Sequence, residues 1–295
     1  MSSHSLIKYV RKSDNAVINF MHISEIIVYP IKSLGGISLT DSIVKKRGLE
    51  FDRRWMLIDE NGKFLTQRDF PKMAIIDVEI LERSLRVSHT SCEKMISFEP
   101  LVKETVSVKI WQSRCRANVY ENDVNKFFSS VLQTNCRLVL MPPETVRKVN
   151  YFYAAHQDDI VSFADAYPFL LIGENSLRDL NEKLEKPVPM NRFRPNFVVS
   201  GSDAFAEDNW KQIKIGAVVF HVVKPCARCV VTTIDQTNGE KQGVEPLKTL
   251  ASYRIPKRSI KKKILFGQNL IAENVGAVIR VGDKVEVIEA KNHKN

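Results

Sequence analysis

The chain has 295 residues, 44% hydrophobic and 26% charged, with 12 Gly and 12 Pro, which excludes collagen-like, low-complexity and largely disordered proteins and leaves room for one large domain or two. Its 44 Lys+Arg against 34 Asp+Glu give a net charge of +10 and a pI near 9.3, which points to an anionic ligand, an acidic partner, nucleic acid or an anionic membrane surface. The excess is spread, with 23 basic and 17 acidic residues in 1–150 and 21 and 17 in 151–295, so neither half is a dedicated basic arm.

The first 21 residues mix Lys8, Arg11, Lys12 and Asp14 with single apolar residues and lack the apolar stretch of a secretion signal. No run approaches the roughly 18 to 20 apolar residues of a membrane-spanning helix. Five cysteines, an odd number without an export signal, argue for a reducing compartment, the cytoplasm, and against a disulfide framework. Next, the β-branched run Ile23 to Tyr29 ends at Pro30 and predicts a strand. A loop with Lys32, Ser33, Gly35 and Gly36 follows. Asn61-Gly62 between Arg54–Asp59 and Lys63–Thr66 is a hairpin signal. Further strands are predicted at Ala74–Leu81, Leu85–Ser88, Met95–Phe98 and Val106–Trp111.

Helical spacing starts near Asn122, with Val124, Phe127, Phe128, Val131 and Leu132, and again over Glu174–Leu184, where Leu177, Leu180 and Leu184 recur before Pro187 and Pro189. Strands are predicted at Phe197–Ser200, Ile213–Ile215, Val218–Val223, Val230–Ile234, Ala277–Val281 and Lys284–Ile288, with a short helix at Glu245–Tyr253. Strand and helix do not alternate regularly, so a strand-rich α+β chain with barrel-like elements fits and a doubly wound parallel sheet does not. The dense cluster Lys257, Arg258, Lys261, Lys262 and Lys263 has no interleaved aromatics for base stacking and reads as a solvated loop. Nucleic acid as the main partner therefore rests on net charge alone.

Chemistry concentrates at Lys224-Pro225-Cys226-Ala227-Arg228-Cys229. Zinc would need further ligands, and Cys92, Cys115 and Cys136 form no second C-x-x-C pair. A thioredoxin-type pair opens a helix, whereas Val230–Thr233 favours a strand. Two buried cysteines acting as small apolar residues are the bland alternative. Against it, Lys224 and Arg228 favour a thiolate, which suits a soft or high-valent transition metal. Lys32-Ser33, Asp52-Arg53-Arg54 and Arg192, Arg194 and Asn196 around Pro195 place arginine forks and small polar groups in loops, as phosphate recognition requires. The six histidines are scattered singly, which argues against a His-based metal or base site. Neither a G-x-x-x-x-G-K-[ST] loop nor a G-x-G-x-x-G turn is present.

In order along the chain stand Ile26–Ser33 (IIVYPIKS), Asp52–Trp55 (DRRW), Asn191–Asn196 (NRFRPN), Pro225–Thr233 (PCARCVVTT), Leu265–Asn269 (LFGQN) and Val281-Gly282-Asp283. In these the chain resembles the MOSC-domain molybdenum enzymes, most of all the mitochondrial amidoxime-reducing components and bacterial relatives that detoxify N-hydroxylated bases. The resemblance spans about Ile23 to Ile288 and implies an N-terminal β-rich MOSC-associated domain at 21–119 and a MOSC β-barrel domain at 120–290. Between them it implies a molybdenum cofactor of the molybdopterin type.

Position by position, the resemblance makes Cys229 the molybdenum ligand and catalytic residue, with Cys226 its neighbour. It assigns Lys32, Ser33, Arg53 and Arg194 to the pterin and its phosphate, and adds Asp165 and Arg228 to the cofactor site. Where the mitochondrial branch has small hydroxyl residues after the aspartate, Ala166-Tyr167 follow Asp165 here, so backbone amides would have to supply that contact. The implied activity, independent of pyridoxal phosphate, is reduction of amidoximes, hydroxylamines and other N-hydroxylated compounds to amines. With no cluster-binding cysteine series in the chain, electrons would come from a separate haem, flavin or iron-sulfur protein. The alternative within the same resemblance is sulfur transfer through a cysteine persulfide.

Overall fold

A computed structural model of the protein describes residues 20–257 and 260–291. The absence of a secretion signal was read from a segment that lies, through residue 19, outside the described residues, as does Arg258 of the basic cluster. Lys257, Lys261, Lys262 and Lys263 of that cluster are exposed.

The β-branched runs assemble into four sheets among the described residues. In the largest, eight strands lie side by side in the order Val285–Ala290, Trp210–Ile215, Val218–Ala227, Leu265–Ala272, Phe169–Gly173, Phe197–Ser200, His22–Val28 and Ile37–Leu39. All neighbours are antiparallel except Phe169–Gly173 and Phe197–Ser200, which run parallel. The sheet curls until the start of His22–Val28 meets the start of Val285–Ala290. Val285 N donates to Met21 O (2.8 Å), Gly282 N to Ile23 O (2.7 Å) and Ile23 N to Asp283 O (2.9 Å), pairing backbone groups that an open edge would leave unpaired.

Side chains alternate across this barrel wall. Ile26 and Val28 point into a core with Phe169, Phe197 and Phe220, whose ring centroids lie 5.2 to 5.8 Å apart, each such pair contributing about 0.5–1.5 kcal/mol beyond area burial. Ile27 and Tyr29 point outward into a second apolar layer, where Leu180 of the helix Glu174–Asn181 and Leu250 of the helix Leu247–Tyr253 cover them. A four-stranded sheet, Trp55–Ile58, Arg137–Leu140, Ser113–Val119 and Thr105–Ile110, packs beside the barrel, and the helix Asn122–Leu132 covers one face through Val124, Phe128 and Leu132.

Two expectations are corrected. Val230–Thr233 is a 3-10 helix, because the Thr232 and Thr233 hydroxyls donate to the carbonyls three residues back, Cys229 (3.0 Å) and Val230 (2.8 Å), and hold the chain in a turn that β-branched content alone would not suggest. Ala74–Leu81 divides into a 3-10 turn, Pro71–Ile75, and the strand Asp77–Ile80, since Pro71 starts a helical turn more readily than it joins a ladder. The hairpin turn at Asn61-Gly62 is present, with Asp59 Oδ1 accepting from Asn61 N (2.9 Å) and Lys63 N (2.8 Å), but its second arm is reduced to single bridges.

Candidate functional site

The barrel and the four-stranded sheet send loops to one cavity, and all seven residues named from the sequence, Lys32, Ser33, Arg53, Asp165, Arg194, Arg228 and Cys229, line it. Lys32 and Ser33 follow the first strand, Arg53 precedes Trp55, Asp165 precedes the strand Phe169–Gly173, and Arg228 and Cys229 follow the long strand Val218–Ala227. Ser33 (φ 69°), Arg53 (φ 48°) and Arg194 (φ 53°) are left-handed without being glycine, a conformation that costs on the order of 1–3 kcal/mol per residue and persists only where neighbours hold it. They are held: Gln67 Nε2 donates to Ser33 O (2.8 Å), Arg53 N to Tyr29 O (2.9 Å) and Arg194 N to Asn191 O (3.2 Å).

Cations dominate the lining. Lys32 is 5% exposed and donates to Phe163 O (2.8 Å) and Asp165 Oδ1 (2.5 Å). Burial pulls its pKa down to about 8 despite Asp165, with Arg147 and Arg53 adding to the pull. Asp165 is 53% exposed, but to the cavity, so desolvation still opposes its charge; Lys32 and then Arg68 outweigh that and hold its carboxyl well below the usual carboxylate range. Arg53 Nη1 grips both carboxylate oxygens of fully buried Asp52 (2.8 and 2.7 Å), whose own carboxyl burial pushes up against that partner. The Arg53 and Arg194 guanidiniums lie 4.2 and 4.1 Å from the centre of the Tyr29 ring. Burial lowers the Arg194 pKa to about 10 and raises that of Tyr29 to about 12.

Arg228 is anchored on one side only. Its Nε donates to Phe266 O (2.8 Å) and its Nη1 to Phe193 O (2.9 Å), while Nη2 is buried without a partner. Gly267 makes room for it: at φ 78°, a Cβ there would stand 2.6 Å from Ile172 Cγ1, 2.9 Å from Leu171 O and 3.3 Å from Arg228 Nη2.

The two cysteines of the C-x-x-C pair differ. Cys226 is the next-to-last residue of its strand, and burial pushes its thiol up against the pull of Arg228. Cys229 is the N-cap of Val230–Thr233 and takes Arg68 Nη2 at 3.1 Å from its Sγ. Since Val230–Thr233 is not a strand, the ground for setting aside a helix-opening pair is removed; the pair nevertheless differs from one, with its first cysteine on a strand and only its second at a short 3-10 turn.

Arg68 was missed from the sequence. It reaches Cys229, approaches Asp165 Oδ2 at 3.6 Å and stacks 4.8 Å from the Trp111 ring centre. Its signal was an arginine in the polar stretch Thr66-Gln67-Arg68-Asp69, which follows the short arm after the Asn-Gly turn. Arg147 was missed too; it donates to Ser162 O (2.6 Å), Ala164 O (2.6 Å) and Asp165 O (2.9 Å), fixing the loop that presents Asp165.

A molybdopterin-type cofactor brings a phosphate, and its metal takes a soft thiolate. Asp165 is the single acidic side chain among the described lining residues, against Lys32, Arg53, Arg68, Arg192, Arg194 and Arg228. This donor set, with the unpartnered Arg228 Nη2 and a thiol in the same wall, fits such a group.

Comparison with known proteins places two families on the chain. The MOSC N-terminal beta barrel domain matches residues 20–135 and the MOSC domain residues 158–286. Mitochondrial amidoxime-reducing component 1 of Mus musculus is 33% identical over 281 residues, 90% of this chain and 82% of that one. Mitochondrial amidoxime reducing component 2 of Rattus norvegicus is 35% identical over 281 residues, 89% and 82% of the two chains. A molybdenum cofactor sulfurase of Oryza sativa is 32% identical over 289 residues, 90% of this chain but 34% of its own length. No helix among the described residues is long and apolar enough to cross a membrane.

Proposed function

Because the chain belongs to the MOSC-domain family that includes the mitochondrial amidoxime-reducing components, we propose that it holds a molybdenum cofactor of the molybdopterin type in this cavity and reduces N-hydroxylated compounds to amines. The observation that carries the reading is the convergence of six basic side chains and the Cys229 thiol on one cavity with a single carboxylate. Cys229 would ligate the metal and is the catalytic residue. Lys32, Ser33, Arg53, Arg194 and Arg228 would hold the pterin and its phosphate. Asp165 would fix Lys32 and Arg68 in place.

When bound, the cofactor supplies two electrons for cleavage of the N–O bond, so that an N-hydroxy compound, two protons and two electrons give the amine and water. The residues of the chain orient and shield. Arg68, stacked on Trp111, stands over the Cys229 sulfur and presents a cation to a polar substrate group arriving there. Lys32, with its lowered pKa, is a group able to carry a proton near neutral pH. A separate haem, flavin or iron-sulfur protein would return the electrons. Five free cysteines suit a reducing compartment, and the cytoplasm is our assignment.

The test is molybdenum content and benzamidoxime reduction, with a chemical electron donor, of the purified protein and of Cys229→Ala. Both are expected to vanish in the variant while it stays folded. Undiminished reduction by protein made in a host unable to synthesise molybdopterin would overturn the proposal. The likeness to plant molybdenum cofactor sulfurases supports a second reading, in which Cys229 or Cys226 carries a persulfide; cyanide-releasable sulfur without molybdenum would select it.

A further inference from the structure

Outside the cavity, three side chains distant in sequence bring donor atoms together. His156 follows the turn Tyr151–Tyr153, His221 lies on the strand Val218–Ala227, and Glu273 stands just past Leu265–Ala272. Pairing of those two strands sets His221 opposite Ile271, and Glu273 N donates to Val219 O (2.8 Å), so two of the three positions are fixed by the barrel itself. One donor atom from each residue lies within 4.8 Å of the others. Glu273 Oε2 is hydrogen-bonded to His221 Nε2 and stands 3.4 Å from His156 Nε2. The imidazole rings are 5.8 Å apart and nearly perpendicular, at 79°.

One imidazole suffices to pair a carboxylate. A second Nε2, that of His156, stands 3.4 Å from the same oxygen without a hydrogen bond to it, and a cation shared by the three donors gives that nitrogen a partner. We infer that His156, His221 and Glu273 bind a divalent transition-metal ion, with zinc the first candidate.

Two imidazoles and a carboxylate are a zinc donor set, and imidazole selects zinc, cobalt, nickel or copper over magnesium and calcium. Behind His156, the buried carboxylate of Asp159 accepts from the His156 main-chain N–H (2.7 Å) and stands 3.8 Å from the ring Nδ1, the place a supporting carboxylate takes behind a metal-bound histidine. Side-chain exposures of 45%, 29% and 43% for His156, His221 and Glu273 leave the ion an entry path and a position for water. Five positions along the strand, roughly 16 Å, separate His221 from Cys226, so the site is distinct from the cavity. The ion would clamp to the barrel wall the loop that runs on through Val161 and Phe163 to Asp165.

The experiment is calorimetric titration of the full-length protein, cofactor included, with zinc chloride, beside cobalt chloride titration followed by visible absorption. We expect one zinc per chain, retained in Cys226→Ser, and cobalt d–d bands without sulfur charge transfer. Glu273→Gln and His221→Ala should abolish binding, and Asp159→Asn should weaken it by about 10–100-fold. Circular dichroism establishes that the variants are folded, and Glu273→Gln carries the test if His221→Ala is not. Absence of a saturable site, binding unchanged in Glu273→Gln, or binding lost in Cys226→Ser would each overturn the assignment. None of these outcomes depends on reductase activity.

Discussion

From Val218 to Val222 the long barrel strand alternates strictly, with Val218, Phe220 and Val222 in the core, whereas from Val223 to Cys226 every residue is half-buried. Register shifts at Val222/Lys224 and at Pro225/Ala227 make its pairing with Leu265–Ala272 irregular over that second half. The first half is placed by burial, which is non-directional and which any apolar side chain of similar size can satisfy. The second half is placed by particular hydrogen bonds, such as Asn269 Nδ2 to Lys224 O (3.0 Å) and Arg228 N to Ile264 O (2.8 Å). One strand thus carries both the barrel and the wall of the cavity, and the two should fail differently.

The largest effect on stability is expected in the first half. Phe220 is fully buried between Phe169 and Phe197, and Phe220→Ala should cost about 3–5 kcal/mol. Urea unfolding should show a lower midpoint at unchanged slope, with molybdenum per folded chain as in the wild type. Loss of molybdenum from the folded fraction would break the separation of the two halves.

A somewhat smaller effect is expected where wall and core meet. Asp52 accepts from Arg53 through both oxygens and from Tyr29 N (2.9 Å) with no exposure. Asp52→Asn leaves the Arg53 charge without its partner, at about 3 kcal/mol. Unlike Phe220→Ala, it should also lower molybdenum content in the protein that remains folded, because Arg53 then loses its aim into the cavity. Metal content unchanged in that variant would show that Asp52 serves the fold alone.

The same division explains what the sequence made legible. Strands with period two and helices with apolar residues at three and four, such as Val124, Phe128 and Leu132, follow from burial and could be read locally. Leu265–Ala272 was not read as a strand, because Gly267-Gln268-Asn269 interrupts its apolar run; Gln268 is buried only because Asp208 Oδ1 accepts from its side chain (2.7 Å). Apart from Asp165, the cavity residues named from the sequence lie in the ordered motifs, whereas Arg68 and Arg147 belong to none and act through partners that only the fold brings near. His221 and Glu273, far apart in the sequence, meet because strand pairing brings them together, and the loop after Tyr151–Tyr153 adds His156. Local pattern reports burial, and long-range hydrogen bonds leave no period to read.

The smallest effect concerns charge within the wall. With its pKa lowered to about 8 by burial, Lys32 in the cofactor-free protein is protonated at pH 7 and loses that proton as pH rises through 8. Affinity for sulfate, an anion that does not itself titrate in this range, should therefore hold steady below pH 8 and then fall by up to about tenfold per pH unit, or 1.4 kcal/mol. Folding stability should move the opposite way. Between about 8 and the ordinary value of 10.5 the unfolded chain still binds the proton that the folded chain has released, so acid-side destabilisation is relieved and stability rises with pH. Lys32→Met should remove both trends, and Lys32→Arg should retain sulfate binding through pH 9. Sulfate affinity of the cofactor-free protein that stays level from pH 7 to 9 would mean that Lys32 keeps its charge throughout, and the wall would then hold its cations as securely as the barrel holds its apolar core.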